Sequence, residues 1–291
     1  MGIGKIIQQK KKILLSRIYE ATKNPLPKLY DFLVFQEKKK KFKKSLNRKK
    51  NLIDFKCENP DKINSYEYNI SSQNNEDGII EYIFSLVPND KFFFEIGFEY
   101  NQSNTLNLIK NKWNGILVDA NKNTCDLTKD LLKIYFKNSK INIINKYVNK
   151  KNISELVQNI NIDFFSIDID GVDYWVLKNI NLNNIKVVCL EYNPFLGNEC
   201  ITIPYSENFK KDNDQYFGAS LDAYCELLKS KQFEFIATDS SGTNAFFVKE
   251  EYKSLFEVLD HKKSYKKSGY FDEKEFEQIQ KETLNNDFIK L

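Results

Sequence analysis

The chain has 291 residues, 41% of them hydrophobic, and a formal net charge of +4 that hides a strong asymmetry. Residues 1–50 hold 16 Lys/Arg against 3 Asp/Glu, a net +13, while the remaining 28 basic and 37 acidic residues leave −9. A single histidine, His261, excludes a multi-histidine metal centre, and five scattered cysteines without a CxxC pair argue against a thiolate cluster and for reduced thiols.

In chain order, "KIIQQKKKILLSRIYEAT" reads as a helix with Ile6, Ile7, Ile13, Leu14 and Ile18 loosely on one side and lysines around it. "NPLPK" breaks it, and a second short helix, "LYDFLVF", leads into the basic run "EKKKKFKKSLNRKK". Residues 1–50 are therefore expected to be a basic helical extension or linker ahead of one larger domain, 51–291. The lysines in residues 5–50 suit a solvated face or an anionic membrane surface. A nucleic-acid partner is not expected, because aromatics are not interleaved as stacking platforms. No apolar run approaches the roughly 20 residues that span a bilayer, and no cleavable signal is evident. The expected location is the cytoplasm, with peripheral attachment at the inner membrane surface as the extension of that reading.

From about residue 76 the pattern alternates. Short β-rich runs occur at 91–97, 115–121, 141–148, 162–170, 187–194, 233–240 and 244–250, with helical patterns between the first five and "SLDAYCELLKSK" before the sixth. Continuous apolar strands alternating with helices predict an α/β domain whose mostly parallel sheet is covered on both faces. "SGT" (241–243) between the last two runs predicts a hairpin and an antiparallel final strand. Residues 251–291 read as a charged helical tail, with His261 as a plain surface residue.

Ligands of such sheets collect beyond the carboxyl ends of the strands, so the strand exits carry the chemistry. The first exit, "FEIGFEYNQSNTLNLI", offers Gly97 for a tight turn and Ser103 or Asn104 to cap the next helix. It lacks the GxGxxG of a dinucleotide site, and Glu95 and Glu99 suit a positively charged ligand rather than a phosphate. At the second exit, Asp119 can accept both hydrogen bonds of a ribose diol, with Ala120 beside it. At the third exit, Val148 can supply an apolar edge for an adenine. The fourth and fifth exits, "SIDIDGVDYW" and "LEYNP", bring Asp168, Asp170, Glu191 and Asn193 to one edge. Carboxylates this close need a cation, a proton or hydrogen-bond donors as compensation. A sulfonium or amine is the leading candidate. Mg²⁺ on Asp168, Asp170 and Glu191 is the lesser one, and no metal is expected. Asp173 starts the following helix.

The order "FEIG…SNTLNLI…NGILVDAN…DFFSIDIDGVDYWVL…VVCLEYNP…IPY…YFGASLDAY…SSGTNAFFV" resembles the FkbM-type branch of S-adenosylmethionine-dependent methyltransferases, over roughly residues 76–250. The resemblance implies a Rossmann-like seven-stranded sheet of order 3-2-1-4-5-7-6 with the last strand antiparallel. It also implies S-adenosylmethionine as cofactor, over strands one, two and four. Glu95 and Gly97 then match the first methyltransferase motif, Asp119 the ribose-binding acid and Asp168 the acid beside the methionine part. Asn101, Ser103, Asn104, Ala120 and Val148 complete the expected cofactor set. Asn101 stands where the family's first motif has a second glycine; asparagine tolerates left-handed backbone, so the turn is expected to persist. With no histidine in the core segments, the expected base is Asp168, Asp170, Glu191 or a tyrosine such as Tyr174, with Asp170 first. Tyr174, Tyr192 and Asn193 are expected at the acceptor. The acceptor class implied is a hydroxyl of a saccharide, glycolipid or secondary metabolite. The rival reading is a binding or assembly protein that keeps the fold without turnover.

Overall fold

A computed structural model describes residues 27–55, 61–211 and 215–291, with the side chains of 27–30 left aside. The first predicted helix and Cys57 lie outside the described residues. The chain divides into two compact units, Met1–Asn47 and Arg48–Leu291.

In the first unit, α1 runs Pro27–Leu46 as one helix. The expected short helix therefore continues through the lysine run. Lysine, glutamate and glutamine are good helix formers, and Pro27 sits at the first helical position, where its missing N–H costs nothing.

The second unit begins with a 3₁₀ turn at Lys62–Tyr66 and α2 (Glu76–Leu86). Alternation then sets in: β1 (Phe92–Ile96), α3 (Leu106–Lys110), β2 (Asn114–Asp119), α4 (Lys122–Tyr135), β3 (Ile141–Asn145), α5 (Ile153–Val157) and β4 (Ile162–Ile167). It continues with α6 (Asp173–Lys178), β5 (Ile185–Glu191), the short β6 (Ile201–Thr202), α7 (Leu221–Ser230), β7 (Phe233–Thr238) and β8 (Asn244–Lys249). The last elements are α8 (His261–Ser264), α9 (Glu273–Thr283) and β9 (Ile289–Lys290).

The main sheet has seven strands in the order β3-β2-β1-β4-β5-β8-β7. The first five pair in parallel, and β8 is antiparallel to both β5 and β7. This is the expected Rossmann-like order; the labels shift by one only because β6 intervenes, pairing with β9 in a separate two-stranded sheet. Consecutive phenylalanines explain why the sheet needs cover on both sides. Phe93 and Phe94, Phe164 and Phe165, and Phe246 and Phe247 are all fully buried, and neighbours in a strand point to opposite faces. Registers Phe93↔Phe164 and Phe94↔Phe165 stack these layers across β1 and β4.

Turn chemistry fixes the exits. Asn121 caps α4 by accepting from the Asn123 and Thr124 N–H groups at 3.0 and 3.3 Å. The β7–β8 hairpin closes on Gly242 (φ 69°), with the Asp239 carboxylate accepting from the Thr243 and Asn244 N–H groups at 2.9 and 3.2 Å. The C-terminal segment is more than a charged tail. Phe276 is buried and stacks on Phe195 with ring centroids 4.8 Å apart. Lys266, also buried, donates to Asp61 at 3.1 Å and to Asn64 at 2.8 Å. His261 is likewise not a plain surface residue: it is half-buried and paired with Asp222 of α7.

Candidate functional site

A cavity of about 440 Å³ opens where β1, β2 and β4 end. Gly97 is its pivot. Its N–H donates to Val118 at 2.9 Å, and the Asp168 N–H donates to Ile96 at 2.9 Å, so three strand exits are knitted together. Gly97 holds φ 77°, and a Cβ there would lie 1.5 Å from the Asp168 carbonyl oxygen. No side chain fits this position.

Of the expected cofactor residues, Glu95, Gly97, Ser103, Asn104, Asp119, Ala120, Val148 and Asp168 all line this cavity. Glu95 is buried; its carboxylate accepts from the Asn104 N–H at 3.0 Å and from the Thr105 hydroxyl. Burial pushes its pKa from 4.5 up to about 7. Ser103 accepts from the Leu106 N–H at 3.1 Å in the turn before α3, whose cap position is taken by Thr105 rather than by Ser103 or Asn104. Asn104 instead reaches sideways, donating to Ser166 at 3.2 Å. The Asp119 carboxylate accepts from the Asn121 N–H at 2.6 Å and the Phe98 N–H at 3.4 Å, and burial raises its pKa. Each oxygen keeps a second lone pair for a ligand.

Asn101 is not among the lining residues, nor among the described residues with positive φ. The left-handed conformation expected there is not adopted. The loop closes instead on a bridge between Glu99 and Gln102, whose N–H donates to Glu99 at 3.3 Å. A second glycine has no conformational task at this position.

Asp168, Asp170 and Glu191 converge, with an oxygen of each within 4.8 Å of the others. Burial, then the charges of Asp173 and Asp170, raises the Asp168 pKa from 3.8 to about 7. Burial and the Asp168 charge push Glu191 well above the usual carboxylate range. The pair therefore keeps a shared proton that isolated carboxylates would have released. Asp170 differs from both: it is exposed and left-handed (φ 53°), and it is ion-paired with Lys211. Asp173 shapes this loop by accepting from the Ile169 and Gly171 N–H groups at 2.8 and 2.9 Å, at the start of α6.

Three residues expected at the acceptor lie elsewhere. Tyr174 is buried in the core beside Trp175 and Tyr224. Tyr192 is fully buried, its hydroxyl donating to the Lys266 carbonyl at 3.0 Å. Asn193 caps the 3₁₀ turn Pro194–Leu196 and donates to Gln215 and Phe217 carbonyls at 2.9 and 3.1 Å. Beyond Glu191 the chain turns into the core, so residues after the strand end are spent on packing.

In their place the cavity has walls that sequence patterns did not disclose. Phe209 and Lys211 come from the stretch after β6. That stretch is strapped down at both ends: Lys151 contacts both Glu207 oxygens at 2.8 Å, and Lys211 meets Asp170. Phe209 packs over Gly171, where a Cβ would meet its ring at 2.6 Å. The far end is formed by Gln73, Glu76, Thr243 and Asn244. Glu76 accepts from the Asn244 and Asn74 side-chain amides at 2.7 and 2.9 Å. Burial and the Asp239 charge push its pKa up to about 8. In sequence, Glu76 and Asp77 look like ordinary first-turn acids of a helix. The one usable signal was register: Asn244 opens the strand opposite Glu191.

Six carboxylates (Glu76, Glu95, Glu99, Asp119, Asp168, Asp170) and two ammonium groups (Lys146, Lys211) line the cavity. Such a lining favours a cationic ligand over a pyrophosphate.

No protein-family model matches this sequence, and no curated protein matches it. Among solved structures, the chain is similar to an S-adenosylmethionine-dependent methyltransferase from Clostridium acetobutylicum, with 14% identity over 60% of this chain and 90% of the other and a TM-score of 0.41. It is similar to the N-terminal domain of EvdMO1 with SAH bound, at 10% identity, 73% and 94% coverage and a TM-score of 0.41. A third is magnesium protoporphyrin IX methyltransferase from Synechocystis with bound SAM, at 8% identity, 60% and 77% coverage and a TM-score of 0.41.

Proposed function

We propose that this chain is an S-adenosylmethionine-dependent methyltransferase acting on a hydroxyl group, with a saccharide, glycolipid or secondary-metabolite acceptor. The observation that carries the reading is the cavity that joins the Gly97 turn, the Asp119 carboxylate and Asp168 across three neighbouring strand exits, with Glu191 of the next strand close to Asp168. The donor set fits the cofactor. Asp119 suits a ribose diol, Val148 and Ala120 an adenine edge, and the surplus of carboxylates a sulfonium and an ammonium group.

When bound, the cofactor supplies an electrophilic methyl group for in-line displacement. The chain's own residues then have three tasks. The Gly97 turn and the Glu95-anchored loop give the cofactor a rigid floor, and alignment is the larger part of such catalysis. Phe209, strapped over Gly171, excludes water from the acceptor side. Asp168 takes the acceptor proton on its carboxylate oxygen; a base with a pKa near neutrality is suited to a hydroxyl acceptor. Glu191 hydrogen-bonds Asp168 through the shared proton and keeps it oriented. Asp170, the first choice from sequence, is engaged by Lys211 and serves better as the acceptor-side wall. The Gln73, Thr243 and Asn244 lining supports a polyhydroxylated acceptor. Lys211 and the shared proton compensate two of the three carboxylates and the cationic end of the cofactor would face the third, so the proposal needs no metal.

Calorimetry with S-adenosylmethionine tests the reading. Binding is expected, and Asp119→Ala should weaken it at least tenfold, the size of a lost pair of hydrogen bonds, while circular dichroism shows an unchanged fold. No binding by the wild-type chain at millimolar cofactor would overturn the proposal.

A further inference from the structure

One feature of the first unit takes no part in the cavity. Along α1, Phe32, Gln36, Lys40, Lys43 and Lys44 are spaced i, i+4, i+8, i+11 and i+12, with Leu33 adjoining, so they form one helical stripe. Phe32 and Leu33 are 55% and 44% exposed, and Lys40, Lys43 and Lys44 are exposed as well. Phe42 and Ser45, which are buried, lie on the opposite side of the helix.

Some exposed lysines elsewhere in the chain pair with carboxylates, as in Lys50–Glu81, Lys122–Asp126, Lys151–Glu207 and Lys253–Glu250. Lys40, Lys43 and Lys44 have no such partner among the described residues. A stripe that ends in two exposed apolar side chains and continues as exposed lysines combines both terms of surface attachment to an anionic bilayer. The apolar pair enters the acyl boundary and the ammonium groups meet headgroup phosphates. No helix among the described residues is long and apolar enough to cross a membrane, so α1 would lie on the surface. We propose that the Phe32–Lys44 stripe of α1 is a docking face for an anionic lipid bilayer. Two observations favour lipid over nucleic acid: the stripe carries no arginine for bidentate phosphate contact, and its exposed apolar end has no counterpart in a phosphate backbone.

The test is co-sedimentation of the full chain with phosphatidylcholine vesicles, with and without phosphatidylglycerol, at low and high salt. Binding only to the anionic vesicles, reduced by salt, is expected. Replacing Lys40, Lys43 and Lys44 together by glutamate should lower partitioning roughly a hundredfold. Replacing Phe32 and Leu33 by serine should lower it by a further measurable factor at high salt, where charge is screened. These positions are exposed, and an unchanged thermal midpoint verifies folding. Equal sedimentation of wild type and variants overturns the proposal, as does tighter binding to an RNA duplex than to vesicles of equal phosphate content. Cofactor affinity should be unchanged in every variant, which keeps this result separate from the methyltransferase reading.

Discussion

Replacing Glu95 by glutamine should make the protein more stable at neutral and alkaline pH, but not in acid. Glu95 is 2% exposed, and its two hydrogen bonds can both survive the change. Glutamine's carbonyl can still accept from the Asn104 N–H, and its amide can donate to the Thr105 hydroxyl, which reverses its role. What disappears is the titration. The folded pKa is raised from 4.5 to about 7, so the folded state binds the proton more tightly than the unfolded one. The stability this contributes is fully present below pH 4.5 and is lost as pH rises through about 7. A shift of that size corresponds to about 3 kcal/mol. At pH 5 the two proteins should therefore unfold at similar midpoints. At pH 8 the glutamine variant should unfold later by about 3 kcal/mol in urea, or of order 5–10 °C in a thermal scan. The other buried carboxylates titrate in both proteins and cancel in the difference. A difference that stays constant from pH 5 to pH 8 would show that Glu95 is not held near neutrality by burial.

Three further perturbations address the cavity. Gly97→Ala should cost several kcal/mol and abolish S-adenosylmethionine binding, because a Cβ meets backbone at 1.5 Å at φ 77°. Gly171→Ala should cost distinctly less, because the obstructing atoms belong to the Phe209 ring, which can rotate; equal losses in urea unfolding would refute the distinction. Lys211→Met removes the cation that lowers the Asp168 pKa. The acid limb of S-adenosylmethionine binding should then move to higher pH by calorimetry, whereas Lys211→Arg should leave it in place. An unmoved midpoint in Lys211→Met would separate Lys211 from the electrostatics of the pair.

The fold was legible because each strand carries its own evidence. Runs such as Phe92–Ile96 and Ile162–Ile167 are apolar at both alternations, which only a sheet covered on both faces tolerates. "SGT" between two such runs allows little but a hairpin. The C-terminal segment was misread for the opposite reason. Lys266 and Phe276 sit in a charged stretch, and their burial depends on Asp61, Asn64 and Phe195, partners as much as 205 residues away. Local composition has no access to such contacts. The length of α1 was missed because a lysine run resembles a linker, although lysine is a good helix former.

The candidate site divides along the same physical line. Gly97, Asp119 and Asp168 stand at strand ends, where chain order and the rule for ligand position suffice to bring them together. Tyr192 and Asn193 follow a strand end just as closely, yet their side chains are drawn into the core by Lys266 and by the Gln215 and Phe217 carbonyls. Position after a strand predicts nearness to a cavity; it does not predict which way a side chain is committed. The remaining wall comes from Phe209, Lys211 and Gln73 of connecting segments and from Glu76 at the start of α2, all placed by tertiary contacts such as Glu207–Lys151 and Glu76–Asn244. The Gly97–Asp119–Asp168 floor of the cavity is thus written into the repeating strand–helix unit, whereas its opposite wall is assembled from chain that carries no repeat. One sheet can then keep a constant floor while the segments above it alter which ligand the cavity takes.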